Sequence, residues 1–549
     1  MFSPPPSAPI PDPETNGHAL DAAARIKSNY EKFSEPVDAA ERLLSAGRLD
    51  EAAMCISVAA GIAARVHCGV FTNSRLERML HDLSAATADK APPLTGPKSA
   101  NGVRRVLHVA TETSFVGGLT RMIGRWSAAD ATRTNSLLLT RQHGAVPTAL
   151  TEAIETSGGE LHRLNTTNGT ALDWVRRLRI IARDYDLVVL HIHCEDVIPL
   201  IAFARPETVP PVLFLNHADH LFWLGSSVGR AVINLRDAAS DITIDRRGVA
   251  PERSLLLPTI VDKVQRRRSR EEARKALNLP QDGVLMVSVA RTPKYKTIHG
   301  TTFADRHVEL LKRHPAAYLV VVGAGAALDW KPAQDAVAGR IIPLPEHPDP
   351  STYFEAADIY VDSYPFVSST SLMEAAGYGL PLVSLFTAPD EARIVGINHV
   401  GLVGPTLVAT TAKEYEDTLT RLITEPSFRE HMADAALNGV INTHQPAAWL
   451  GWLEGLYETA ANLPQSASPP AGLSAKFDEP CFGELDCRHQ DMFGSNLRIG
   501  EDLKAYIPSL PVVARIRAVG HLLKAGEIAS PLEAAKLLVP EWVKRRIKP

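Results

Sequence analysis

Residues 357–385 read ADIYVDSYPFVSSTSLMEAAGYGLPLVSL, and this stretch decides the fold. A short strand through Ile359, Tyr360 and Val361 breaks at Pro365, and a helix is expected to begin beside Ser368, Ser369, Thr370 and Ser371. A strand that feeds a turn of small residues and then a helix leaves free backbone N–H groups at the helix start, where an anion such as phosphate is favoured. Glu374 follows one turn later; a carboxylate beside an anion site is suited to accepting hydrogen bonds from ribose or sugar hydroxyls. The arrangement points to a nucleotide or nucleotide-sugar pocket.

Working outward, short apolar runs alternate with helical stretches on both sides of this segment. Val103–Ala110, Ser136–Leu139, Leu187–Leu190 and Pro211–Leu215 form one series; Val284–Val289, Tyr318–Gly323, Ile341–Ile342, Ile359–Val361 and Pro381–Leu385 form a second. Buried strands alternating with helices are the mark of a parallel, doubly wound sheet. Two such series predict an α/β protein with two tandem Rossmann-like domains, residues 103–260 and 261–462, facing a cleft. The basic run 263–268 marks the connection between them, its three consecutive arginines reading as a solvated loop.

The flanks differ in character. Residues 1–18 are rich in proline and small polar residues and are expected to be a disordered lead. Residues 19–90 form a helical accessory domain, in which residues 46–53, AGRLDEAA, resemble the turn of a tetratricopeptide-type hairpin without establishing a repeat. Residues 91–102 read as a linker, and 463–549 as a partly helical C-terminal extension. A chain of 549 residues with net charge −4 has no global basic field, which argues against non-specific nucleic-acid binding. The five scattered cysteines fit a reducing compartment. The opening MFSPPPSAPIPDPETNGH has neither the basic start nor the apolar core of a secretory signal, and a cytoplasmic location is the expectation.

These residues resemble the GT-B glycosyltransferases, whose donor helix begins at the pyrophosphate of a nucleotide sugar and leads to a Gly-Leu-Pro strand, here Gly379-Leu380-Pro381. A second match is Val287-Ser288-Val289-Ala290-Arg291-Thr292-Pro293-Lys294-Tyr295-Lys296, where Arg291 and Lys296 keep the five-residue spacing of an Arg and a Lys common in that family. The resemblance covers roughly residues 103–461. It implies that Arg291, Lys296, Thr370 and Ser371 stabilise a departing diphosphate, that Glu374 holds hydroxyls, and that no divalent ion or other cofactor is required. The implied donor is a nucleotide sugar, a UDP-sugar, and the acceptor a glycan, a lipid-linked sugar or a protein. An epimerase of the same fold and a non-catalytic scaffold remain as alternative readings.

Other loops add candidates at the carboxyl edges of strands, where doubly wound folds bind ligands. Gly117 and Gly118 follow the first strand and match the Gly-rich loop that faces the donor in GT-B enzymes. His217 lies in the loop Asn216-His217-Ala218-Asp219-His220, at a position where GT-B enzymes often place a histidine at the sugar; Asp219 and His220 read as orienting groups, and Phe222 and Trp223 as sugar-stacking or packing aromatics. Gly323 belongs to a turn bordering the nucleotide, Val322-Gly323-Ala324-Gly325, but Leu328 replaces the third glycine of a dinucleotide fingerprint. Residues 343–347 are placed at the base. His191 is expected to hydrogen-bond structurally and His193 to reach the cleft; with Glu195 they lack a fourth metal ligand, and Cys481, Cys487 and His489 are too loosely spaced for zinc, so no metal site is expected. Counting back seven residues from Glu374 gives Phe366 where retaining relatives carry a second Glu, while Asp362–Phe366 with Thr370 resembles the donor loop of protein O-GlcNAc-transferase-like enzymes. Finally, Trp542 beside Lys544, Arg545 and Arg546 suggests a peripheral contact with the inner membrane face, the alternative being a helix end packed on the catalytic body.

Overall fold

The computed structural model describes residues 13–88, 94, 100–115, 117–298, 300–325, 328–464, 474–493 and 499–547. Most of the expected linker and the first part of the expected lead lie outside them. Among the described residues, thirteen strands, β1 (Arg105–Ala110), β2 (Thr134–Leu139), β3 (Leu161–Arg163), β4 (Leu187–His191), β5 (Val212–Asn216), β6 (Ala231–Asn234), β7 (Ser254–Leu256), β8 (Val284–Val289), β9 (Ala317–Val322), β10 (Ile341–Leu344), β11 (Ile359–Val361), β12 (Leu382–Leu385) and β13 (Thr406–Ala409), form two sheets. The first runs β3-β2-β1-β4-β5-β6-β7 and the second β10-β9-β8-β11-β12-β13. Every named ladder is parallel. The central strands β4, β5, β6, β11 and β12 are buried along their whole length, which is why they read as continuous apolar runs.

Strand order reverses beside β1 in the first sheet and beside β8 in the second. A crevice opens at the carboxyl edge wherever two neighbouring strands send their connections to opposite faces. The loops after β1, β4 and β5 therefore face those after β8 and β11 across one interdomain cleft.

The N-terminal helices are less separate than the sequence implies. Helix Leu49–Arg65 buries nearly its whole surface, because LDEAAMCISVAAGIAAR is small and apolar all round and a helix of that kind must be covered on every side. Its Ile56, Ala59 and Ile62 share one continuous core with Val188, Leu190 and Phe214 of the first sheet. Glu77 ties the layers together: its fully buried carboxylate accepts from the backbone N–H groups of Gly225 (2.6 Å), Ser226 and Ser227. Within the expected lead, helix Pro13–Ser45 already begins at Pro13.

Helix Pro446–Asn462 closes the second domain by running back onto the first. Trp449, Leu453 and Tyr457 pack with Val106, Met122 and Trp126, the Trp449 indole donates to Pro258 O (2.6 Å), and Trp126 donates to the Tyr457 hydroxyl (3.1 Å). In the C-terminal extension, helix Glu484–Phe493 wedges between the parts of the molecule: Asp486 accepts from His67 (2.8 Å) and Arg246 (2.8 Å), and His489 and Phe493 lie against His220. Terminal helix Glu541–Ile547 docks on the first domain, with Arg545 bonded to Glu541 and to His143 O and Arg546 to Thr166 O. Arg545 and Arg546 of the basic cluster expected at a membrane are thus engaged by protein. No helix among the described residues is long and apolar enough to cross a membrane.

Candidate active site

The cleft between the domains encloses about 560 Å³. From the second domain it is lined by Arg291 and Lys294 after β8 and by Ser368, Ser369, Thr370, Ser371 and Glu374 after β11; from the first it receives Gly117, Gly118, Arg121, His193 and His217.

Helix Ser369–Gly377 starts where the strand-to-helix reading placed it. Buried Asp362, just past β11, shapes the turn: its Oδ1 accepts from the N–H groups of Ser363 and Ser368, both at 2.9 Å. The Ser368 side chain makes no capping bond to the first turn of the helix, so its leading N–H groups are left to a ligand. Gly118 faces this turn directly, since a Cβ added to it would lie 3.6 Å from Thr370 Oγ1. A larger residue there would fill the space between the domains.

The cations are arranged differently from the spacing argument. Residues Thr292–Tyr295 form one turn of 3-10 helix, in which positions three apart share a face. Arg291 and Lys294 both line the cleft for that reason. Lys296 lies two residues further round, outside the cleft lining, with its ammonium on Asp491 O at 2.5 Å. Of the two lysines, Lys294 is the one that lines the cleft. Its Nζ donates to Val367 O (2.7 Å), stands 4.8 Å from the Phe366 ring, and has its pKa lowered to about 8, first by burial and then by Arg291 and Arg236, against the opposing pull of Asp362. Burial likewise raises the Asp362 carboxyl to about 6.

Glu374 lines the cleft, but its Oε1 is shared by two arginines of the opposite domain, Arg121 (2.9 Å) and Arg125 (3.3 Å). A carboxylate expected to hold hydroxyls thus also bridges the domains. Gly323 serves the cleft indirectly. Its φ is +96° and a Cβ would meet Ala290 O at 1.7 Å, so the close approach of the β8 and β9 ends requires glycine; its carbonyl accepts from Thr292 (2.8 Å) and so steadies the Arg291 loop. Of residues 343–347, Glu346 and His347 line the cleft beside Pro348 and Pro350.

His217 stands at the end of β5 with Nδ1 buried and unpartnered among the described residues. Burial and the neighbouring His193 push its pKa down to about 4, so the ring is neutral at physiological pH. His193 also reaches the cleft, whereas His191 is fully buried against His108 (2.9 Å). Asp219 takes the two-pronged Arg236 at 2.6 and 2.9 Å and touches His220 at 3.1 Å; although burial opposes ionisation, Arg236 and His220 hold its carboxyl far below the ordinary range. Phe222 and Trp223 are buried, with Trp223 stacked on Phe214, so they pack the domain and do not face a sugar. Sequence reasoning passed over Arg236 and His399, both cleft residues brought in by chain reversal from distant loops. His399 is 2% exposed with both ring nitrogens unpartnered among the described residues, and burial followed by Arg236 drives its pKa to about 3.

No family model matches the chain. A curated relative, the D-inositol 3-phosphate glycosyltransferase of Thermobifida fusca (strain YX), is 26% identical over 278 residues, which is 47% of this chain and 61% of that relative's length. This chain therefore spans less than two thirds of that relative. Among solved structures, Anabaena HepE in complex with UDP and glucose aligns at TM-score 0.48 with 15% identity, over 64% of this chain and 98% of that one. A mutant O-GlcNAc transferase of Thermobaculum terrenum aligns at TM-score 0.47 with 15% identity, over 82% and 86%. Two doubly wound parallel sheets facing one cleft, a last helix that returns to the first domain, and a curated glycosyltransferase relative together mark this chain as similar to the GT-B glycosyltransferases.

Proposed function

We propose that the protein transfers a sugar from a nucleoside-diphosphate donor, a UDP-sugar, to a glycan, lipid-linked or protein acceptor. The observation that carries this reading is the convergence, in one cleft, of an uncapped helix start, two cations three residues apart, and a neutral histidine from the opposite domain. The diphosphate sits at Ser368–Ser371 between Arg291 and Lys294, whose charges stabilise the leaving group as the glycosidic bond breaks. Glu374 exchanges part of its arginine contact for ribose or sugar hydroxyls. Gly117 and Gly118 leave room for the sugar against Thr370, and His217 approaches the reacting centre or the acceptor hydroxyl from the first domain.

The reading is supported by the glycosyltransferase relative and tested by a binding panel of UDP, GDP, ADP and TDP on the full chain, followed by incubation with the matching sugar nucleotides. UDP is expected to bind tightest, and a UDP-sugar to be consumed faster when an acceptor is present. Release of an epimerised sugar nucleotide, or no nucleotide binding at all, would replace transfer with one of the two other readings.

A further inference from the structure

Behind His217 lies a row of buried polar groups that the cleft chemistry does not use. His108, Asn135 and His191 are completely buried, on β1, β2 and β4. His108 Nε2 meets Asn135 Oδ1 at 3.1 Å, and His108 Nδ1 meets His191 Nε2 at 2.9 Å. The register puts these residues and the end of β5 on one face of the sheet: Ala110 pairs with His191, and Val189 with Leu213, so positions 108, 191, 213 and 215 point the same way. Trp126 covers them edge-on, 5.3 Å from His108 and 6.0 Å from His191.

The direction of every proton in this row can be deduced. Asn135 Nδ2 donates to the carbonyls of Asp130 (3.3 Å) and Arg133 (3.1 Å), which fixes the amide and leaves Oδ1 as the acceptor toward His108. His108 must then carry its proton on Nε2 and offer a lone pair at Nδ1. His191 Nε2–H donates to that lone pair, so His191 Nδ1 is itself a bare acceptor. Among the described residues it has no partner, and neither does the buried Nδ1 of His217. His217 is close enough for its charge to help lower the His191 pKa, after burial and His108. The Leu215 carbonyl, His193, Asp219 and His220 are the other groups that act on the His217 ring.

We propose that His108 and His191 are positioning residues that fix His217 as the tautomer with its proton on Nδ1 and its lone pair on Nε2. The Nδ1 proton is directed at His191 Nδ1 through one bridging water, since neither nitrogen has a protein partner among the described residues. The lone pair on the cleft side can accept a hydrogen bond from a sugar or acceptor hydroxyl, which the opposite tautomer could not do. An uncharged row of this kind sets a proton's position without burying a charge, and each fixed link constrains the next.

The tautomer is measured on the full chain labelled with nitrogen-15 in histidine, by long-range proton–nitrogen correlation without any ligand. The signals of His217 are those lost in His217→Gln, or in His217→Asn should the first variant not fold. A protonated Nδ1 and bare Nε2 are expected; a bare Nδ1 overturns the proposal. His191→Leu should move His217 toward the other tautomer and lower kcat for transfer on the order of tenfold with the donor KM unchanged; His108→Leu, which removes the acceptor that fixes the His191 proton on Nε2, is the second variant and should shift the His217 tautomer the same way. A folded variant that leaves the His217 tautomer unchanged also overturns it. The kinetic arm rests on the glycosyl-transfer reading and the spectroscopic arm does not: an Nδ1–H ring in a chain that transfers no sugar would sink that reading alone.

Discussion

At the scale of single residues, the difference between Lys294 and Lys296 is the sharpest test of the donor site. Lys294 is a half-buried cation beside an uncapped helix start, whereas Lys296 bonds a carbonyl of the C-terminal extension outside the cleft lining. Lys294→Ala is expected to weaken UDP binding about tenfold to a hundredfold, the loss of one charge-assisted contact of about 1.5–3 kcal/mol. Lys296→Ala should change it less than twofold, as isothermal titration would show. Because the free Lys294 pKa is lowered to about 8, the charged form dominates below that value and fades above it. UDP affinity should therefore hold through neutral pH and decline above about 8 in the wild type but not in Lys294→Ala. A parallel decline in both would assign the pH dependence to another group.

The sequence made some of this legible and hid the rest for a physical reason. Local chemistry pointed to the Ser368–Ser371 turn and the family resemblance to the glycine pair and His217, and all of them line the cleft; each reading depends on residues adjacent in the chain. The choice between Lys294 and Lys296 depended on whether Thr292–Tyr295 ran extended, where spacing alone matters, or coiled into a 3-10 turn, which brings every third residue round. Arg236 and His399 depended on which distant loops the topology brings to one edge. The Arg121 and Arg125 contact with Glu374 needed the relative placement of two domains, which no local pattern encodes.

Among the elements, helix Glu484–Phe493 and terminal helix Glu541–Ile547 show how an extension with no strong sequence signal becomes part of the body. Asp486 is buried with His67 on one side and Arg246 on the other, and although burial opposes ionisation, those partners hold its carboxyl below the ordinary range. A carboxylate depressed in the folded state contributes stability above its unfolded pKa and loses it as pH falls through the folded one. Asp486→Asn, which removes the charge and leaves its partners buried, is expected to cost roughly 3 kcal/mol in urea unfolding at neutral pH, and less in acid where the wild-type carboxyl is itself protonated. An equal cost at both pH values would mean that shape, and not charge, seats this helix. Docking of Arg545 and Arg546 on His143 and Thr166 leads to the expectation that the full chain and a version ending at Pro540 sediment equally with anionic liposomes.

For the whole molecule the question is how two domains proposed to admit a sugar-nucleotide donor are held together without one. Three of the connections that cross the cleft or its back bear on this: helix Pro446–Asn462 on the first sheet, the wedge of helix Glu484–Phe493, and the bridge from Arg121 and Arg125 to Glu374. The first two lie outside the cleft lining, but the third occupies the group proposed for ribose or sugar hydroxyls. Donor entry therefore has to loosen that bridge, and its strength enters both affinity and the resting separation of the domains. The double variant Arg121→Ala, Arg125→Ala should relax the domains apart, seen as a larger radius of gyration in small-angle scattering of the ligand-free chain, with faster UDP-sugar association because Glu374 no longer has to be released. Added UDP-sugar should bring the variant back toward the wild-type radius. If the ligand-free variant scatters as the wild type does and binds donor no faster, the bridge is a passive surface contact and the other contacts between the domains set the closed form.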